Sequence, residues 1–410
     1  MVLLAMALLH AYLWFRLVRS TTRPGRTRRR LTVVLTVLAV LPVAALLLRR
    51  TLPLAAATPL DWLAYTWLGT AFYLFLVLLV LEPVRLLLGR RSRLAPEATP
   101  AAEVPAVAGP GAGAPAVEVP EAAVPPVPDP SRRLFLARGL AVTAGAVALG
   151  TAGTGVYLAN AAPVVRRVPV TLRGLDPALD GLRIVTFSDG HLSATYGGRR
   201  FERLVETVNA QRPDVVAIVG DLVDGDVDEL GREAAPLADL VSEQGVFFVT
   251  GNHEYFVDTT AWLRHLPTLG VDVLRNERVA IRRGTATVDL AGIDDRTAAS
   301  SGLAGHGADL DAALDGRDDG VPVVLLAHQP VMVEQAQAAG VDLQLSGHTH
   351  GGQLWPFDYA IRLDQPSVEG LSRHGDTQLY VTSGAGYWGP PMRIGARPEI
   401  TVVELRAPEA

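Results

Sequence analysis

Three long apolar runs crowd into the first 81 residues, about Val2–Val18, Leu31–Leu48 and Trp62–Leu81. Each approaches the ~20 residues that a helix needs to cross the hydrocarbon of a bilayer. Trp62, Tyr65 and Trp67 stand at one end of the third run, where amphipathic rings favour the membrane interface. A chain that begins this way is predicted to be embedded in a membrane by helices. His10 interrupts the first run and reads as a tolerated polar residue facing another helix.

The charge is divided accordingly. Residues 1–160 carry 16 Arg and 7 acidic residues, a balance of +9, and residues 161–410 carry 21 Arg and 35 acidic residues, a balance of -14, which sum to the net -5. A basic apolar half followed by an acidic half predicts a membrane part and a soluble part. The acidic half argues against a nucleic-acid partner, because phosphate backbones demand positive charge. There is no cysteine and no lysine. Disulfides, thiolate zinc sites, a Walker A loop and Schiff-base chemistry are therefore excluded.

Composition also marks the boundaries. Residues 1–94 read as a transmembrane region with three helices. Residues 95–130 carry a proline every fifth position from Pro100 to Pro125 and read as an extended Pro/Ala-rich linker. Residues 131–163 open with Ser131-Arg132-Arg133-Leu134-Phe135-Leu136 and continue into a Gly/Ala/Thr-rich apolar stretch. This segment resembles a twin-arginine export signal, which implies the twin-arginine export machinery as a partner; an ordinary fourth membrane helix flanked by two arginines is the other reading. Ala159-Asn160-Ala161 fits a small-x-small cleavage pattern. Loops 19–30 and 82–133 each hold six arginines, against Arg49 and Arg50 between the second and third runs. The arginine-rich loops are predicted to be cytoplasmic. A multi-pass protein of the cytoplasmic membrane follows, with residues 164–410 on the extracytoplasmic side.

From Val164 onward, short β-rich runs alternate with helical patterns, predicting an α/β domain. Strands are predicted at Leu182–Phe187, Val215–Val219, Val246–Val249, Thr287–Ala291, Val323–Leu326, Leu343–Leu345, Leu379–Val381 and Ile400–Leu405. Helices are predicted at Arg199–Gln211, Leu230–Glu243, Asp258–Leu269 and Met332–Ala339. Five strands run directly into polar blocks: Ser188-Asp189-Gly190-His191, Gly220-Asp221-Leu222-Val223-Asp224, Gly251-Asn252-His253-Glu254, Ala327-His328-Gln329, and Gly347-His348-Thr349-His350-Gly351-Gly352. Carboxylates and imidazoles bind Mn, Fe, Zn or Co without sulfur. Two such ions share a carboxylate, supply a hydroxide nucleophile near neutral pH and neutralise charge on a phosphoryl oxygen.

These blocks, in this order, resemble the calcineurin-like metallophosphoesterase family over about residues 180–405, in particular a membrane-associated bacterial branch. The segment Ser383–Tyr387 and the residues from Met392 to Ile400 are similar to that branch too. The resemblance implies a four-layer α/β sandwich, following an all-α transmembrane region, and a two-metal site at the strand ends. It implies one ion on Asp189, His191, Asp221 and His350 and a second on Asp221, Asn252, His328 and His348. It implies that His253 faces the phosphate and that Asp224 orients His253. The implied reaction is hydrolysis of a phosphodiester or phosphomonoester by a metal-bound hydroxide. The tether to the bilayer points to an envelope- or lipid-linked phosphate. A non-catalytic metal-binding membrane sensor or scaffold is the competing reading; the intact ligand set together with His253 argues against it. Gly190 stands where many relatives carry a larger residue and is expected to open space near the site. Glu254 could reach the site or serve a helix start, Arg393 could meet a phosphate or form an ion pair, and Trp355 and Trp388 could line the cleft or pack their loops. His265, His306 and His374 are expected to lie elsewhere.

Overall fold

The computed structural model describes residues 2–49, 51–91 and 130–408. The apolar runs form helices: α1 (Val2–Leu13), α2 (Arg26–Leu48), α3 (Leu54–Arg91) and α4 (Pro130–Asn160). The first run continues past α1 in π-helical geometry over Trp14–Arg19. Among the described residues, three helical stretches are long and apolar enough to cross a membrane: Arg26–Leu48, Leu54–Leu87 and Arg133–Asn160. The Pro/Ala-rich stretch lies, as far as residue 129, outside the described residues.

The chain divides into two compact units. The first comprises Met1–Ala39 and Ala71–Ala148. Polar side chains tie its helices together: Glu82 of α3 accepts from Tyr12 of α1 at 2.9 Å and pairs with Arg16 at 2.5 Å, and Trp14 donates to Thr32 of α2 at 2.9 Å. His10 bonds the carbonyl of Met6 one turn back at 2.8 Å, so its polarity is satisfied within its own helix.

The second unit comprises Val40–Thr70 and Leu149–Ala410. It contains β1 (Val164–Thr171), β2 (Arg183–Phe187), α5 (Arg199–Asn209), β3 (Val215–Val219), α6 (Val227–Ala234), β4 (Val246–Val249), α7 (Thr259–His265) and β5 (Asp272–Val273). Then follow β6 (Glu277–Arg283), β7 (Ala286–Gly292), α8 (Leu310–Leu314), β8 (Val323–Leu326), α9 (Val333–Ala338) and β9 (Leu343–Ser346). The last elements are α10 (Asp358–Ile361), β10 (Gly370–His374), β11 (Thr377–Val381) and β12 (Glu399–Arg406). One six-stranded sheet has the order β1-β12-β2-β3-β4-β5 and the other β10-β11-β9-β8-β7-β6.

Every residue of β3, β4 and β8 is buried, as parallel strands covered on both faces require. One face of each sheet meets the other sheet through residues such as Ile184, Val219, Leu326 and Leu345. The outer face of the first sheet is covered by Phe201 and Leu204 of α5 and Trp262 of α7, and that of the second by Leu310 of α8 and Ala336 of α9. The result is the four-layer α/β sandwich anticipated from the sequence.

Four strands escaped the sequence reading: β1, β5, β6 and β10, and β5 is only two residues long. β1 contains Pro169 and two arginines, and β6 contains three arginines and a glutamate. Both are edge strands, where one side is wet and a missing N–H is tolerated. β10 also lies at an edge, with polar residues at three of five positions. The turns of α3 and α4 that belong to this unit pack against its loop at Met392. A Cβ at Gly69 of α3 would meet Met392 Sδ at 2.6 Å, and one at Gly155 of α4 would meet Met392 Cβ at 3.0 Å. The Arg393 N–H donates to the Gly155 carbonyl at 3.0 Å.

Candidate metal centre

The five polar blocks follow β2, β3, β4, β8 and β9 directly, so they emerge at the carboxyl ends of central strands in both sheets. The side chains converge there. His350 Nε2 lies 3.3 Å from Asp189 Oδ1 and 3.0 Å from His191 Nε2. His328 Nε2 lies 3.2 Å from Asp221 Oδ2, with His191 Nε2 at 3.8 Å and His253 Nε2 at 4.0 Å from the same oxygen. Asp189, His191 and His350 form one group of metal-holding dimensions, Asp221, His328 and His348 a second, and His191, Asp221 and His253 a third that overlaps both. Asp189, His191, Asp221, His328 and His350 are buried.

The donor set calls for cations. The Val219 carbonyl accepts from His328 Nδ1 at 2.8 Å, which turns Nε2 toward the Asp221 carboxylate. Asp224 likewise takes the His191 Nδ1 proton at 3.0 Å, leaving the His191 Nε2 lone pair against His350. Acceptors this close need a proton or a cation between them. Asn252 Oδ1 and His328 Nε2 are buried without a hydrogen-bond partner, as atoms suited to ligate a metal are. The residues present therefore fit a divalent-metal site.

The electrostatics are uneven. Burial opposes ionisation of Asp221, but His328 and His253 outweigh it and hold the carboxyl well below its usual range. Burial pushes Asp189 up. Burial also pulls the His348 imidazole down to about 4. For His253, burial is outweighed by the Asp221 charge and the Asp224 hydrogen bond, which raise it to about 9. Asp224 Oδ1 sits 2.6 Å from His253 Nδ1, so the Nε2–H of His253 is free to point into the site.

The backbone contributes in a way that residue types do not announce. Asp189, His191, Asp221, His348 and His350 have φ values of 53°, 46°, 52°, 71° and 52°. Left-handed conformations are uncommon outside glycine and concentrate at functional sites. Neighbouring glycines let these turns close. A Cβ on Gly347 would lie 2.5 Å from Asp189 Oδ2 and overlap Ser188 Oγ, and one on Gly251 would collide with Asp221 Oδ1.

Glu254 belongs to the site as a support. Its two oxygens accept the backbone N–H groups of Asp221 (3.0 Å), Leu222 (2.8 Å), Val223 (3.3 Å) and Gly251 (2.6 Å). Arg393 is wholly buried and meets neither expectation. It donates to the carbonyls of His350, Ser383, Gly384 and Gly386, bracing the His350 loop from behind. Gly190 opens no space: a Cβ there would pack against Leu222 O at 3.3 Å. Trp388 meets the edge of the His253 ring at 5.6 Å and lines a cleft with it. His306 bonds Tyr255 and His374 bonds Ser372, and His265 packs on Trp262; none belongs to the cluster.

The calcineurin-like phosphoesterase family matches residues 182–352, the stretch that carries all five blocks. An uncharacterized metallophosphoesterase of Bacillus subtilis (strain 168) is 32% identical over 292 residues, covering 68% of this chain and 98% of that protein. The chain belongs to the calcineurin-like metallophosphoesterase family. Proteins described as transmembrane protein with metallophosphoesterase domain are also similar. The one from Danio rerio is 43% identical over 62% of this chain and 61% of its own length, and the one from Bos taurus 42% identical over 68% and 64%. The chain thus spans just under two thirds of these two vertebrate relatives. Family members use divalent metals, and the cluster offers the Asp and His groups to hold them.

Proposed function

We infer that the protein is a membrane-anchored, two-metal phosphoesterase that hydrolyses phosphodiester or phosphomonoester bonds. The observation that carries this reading is the facing of His328 Nε2 and Asp221 at 3.2 Å, beside the partnerless Asn252 Oδ1, at the mouth of strands from both sheets. One ion would be held by Asp189, His191, Asp221 and His350, and the other by Asp221, Asn252, His328 and His348. Bound there, two divalent ions make water nucleophilic near neutral pH and neutralise phosphoryl charge.

The chain's own residues do the rest. Hydrolysis adds water across a P–O bond: an oxygen goes to phosphorus and a proton to the leaving oxygen. His253, its Nδ1 held by Asp224, turns Nε2 into the site, where it can deliver a proton to that oxygen or hold one against the developing charge. Asp224 accepts from Nδ1 of both His253 and His191, keeping both rings turned inward. Glu254 and Arg393 hold the loops that present Asp221 and His350.

In this reading residues 164–410 form the catalytic domain and the apolar helices anchor it. The arginine-rich loops keep to the cytoplasm and the domain lies outside, delivered by a signal of the twin-arginine kind. The full chain, purified in detergent and loaded with Mn, is tested on a chromogenic phosphodiester and the matching monoester. Turnover of either is expected; metal-bound protein that turns over neither refutes the reading. A C-terminal reporter active only outside the cytoplasm tests the orientation, and a cytoplasmic signal overturns it.

A further inference from the structure

A cleft of about 250 Å³ opens beside the metal cluster, and its wall is shared between the catalytic loops and the end of α2. Leu46, Arg49, Asp224, His253, Phe256 and Trp388 are among its lining. All belong to one compact unit. The Arg49 guanidinium stands 4.0 Å from Asp224 Oδ2, an ionic distance too long for a hydrogen bond. A phosphate brought to His253 would therefore meet Arg49 in the same cleft, where the other charged lining residues are Asp224, Asp226 and Glu229. An anion needs that positive group.

The apolar side of the cleft has a direction. Leu46 is 60% exposed and lies on α2, whose neighbouring Leu47 and Leu48 are exposed as well. The apolar helix ends at Leu48, so Arg49 occupies the level where hydrocarbon gives way to headgroups. Phe256 and Trp388 are exposed by 61% and 56%. Gln353 bonds both the N–H and the carbonyl of Trp388, and the loop it begins exposes Trp355, Phe357 and Tyr359. Exposed aromatic rings beside the end of an apolar helix mark an interface with lipid.

We propose that this cleft takes the phosphate ester of a membrane lipid, entering sideways from the bilayer with its phosphate between Arg49 and the metal cluster and its acyl part along Leu46. The proposal rests on the phosphoesterase reading and names the substrate class of that same site. Arg49 is then a binding residue for the phosphate, contributed by the segment that joins two apolar helices.

The test uses the full metal-loaded chain in dioleoylphosphatidylcholine nanodiscs. The probe is the non-hydrolysable phosphonate analogue of dioleoylphosphatidic acid, with its dibutyryl counterpart and inorganic phosphate as water-soluble arms, and binding is read by native mass spectrometry. The long-chain analogue should bind at least about tenfold more tightly than either soluble probe, and Arg49→Gln should weaken it about tenfold or more, the worth of a charge-assisted contact, with metal content unchanged. Arg49→Lys, which keeps the charge, should fall between. Equal binding of inorganic phosphate overturns the lipid half of the proposal. Undiminished binding by Arg49→Gln, or loss of metal with loss of binding in both Arg49 variants, overturns the role of Arg49. Tight analogue binding with no hydrolysis of dioleoylphosphatidic acid or of any chromogenic ester would refute the phosphoesterase reading and leave only a lipid-phosphate binding site.

Discussion

Glu254→Gln is the most direct probe of how the site is held open for metal. The carboxylate is wholly buried, and each oxygen accepts two backbone N–H groups: Oε2 those of Asp221 and Gly251, Oε1 those of Leu222 and Val223. Glutamine keeps the shape but presents one oxygen. Whichever way the amide turns, its NH2 group faces two buried donors. A buried donor left unsatisfied costs about 1–3 kcal/mol, so two cost about 2–6 kcal/mol. For a catalytic domain of this size that is a drop in melting temperature of about 5–20 °C. Because three of the four donors lie in the Asp221–Val223 turn, metal content should fall with stability. Thermal melting of the full chain in detergent, with metal measured by mass spectrometry, reads both. A variant that melts within about 1 °C of the parent and keeps its full metal would refute the view that this carboxylate holds the turn.

Three further outcomes follow from the same geometry. His253→Ala should lower kcat by about 10²–10⁴ while metal content holds; loss of metal instead would make His253 a ligand, as its place in the third cluster allows. Gly347→Ala should weaken metal binding by about tenfold or more, measured by chelator competition, since the new methyl would displace Ser188 and Asp189; unchanged affinity would show that the loop yields freely. Arg393→Met should destabilise by at least about 2 kcal/mol, seen as a lower melting temperature with metal bound, because the Ser383 and Gly386 carbonyls lose their donor; a neutral result would show that water replaces the guanidinium.

Much of the architecture was legible because burial on both faces writes itself as uninterrupted apolar residues. β3, Val215–Val219, and β8, Val323–Leu326, could hardly be read otherwise. β1, β6 and β10 were not legible, because an edge strand tolerates the arginines and the proline that argue against a strand elsewhere. The site blocks were legible as residue types at strand ends. Their left-handed backbone at Asp189, His191 and Asp221 was not, since nothing in an aspartate or histidine records its φ. Nor were the supports. Glu254 acts on Asp221 from 33 residues away, and Arg393 reaches His350 from 43, distances over which no periodicity carries information. Gly190 misled because the space it would free is already filled by Leu222.

The position of β12 governs when the protein can be finished. This strand lies between β1, with which it runs parallel, and β2, with which it runs antiparallel. Until Glu399–Arg406 is made, the flank of β2 that leads to Asp189 and His191 has no neighbour, and β1 has nothing to join. The apolar helices emerge from the ribosome long before, so they settle while the domain behind them is still an open sheet with a bare edge. Such an edge invites pairing with other chains. Sequestering it during synthesis is thus a task for the cell, and a stop codon ahead of residue 399 should yield an aggregating stump on intact anchors.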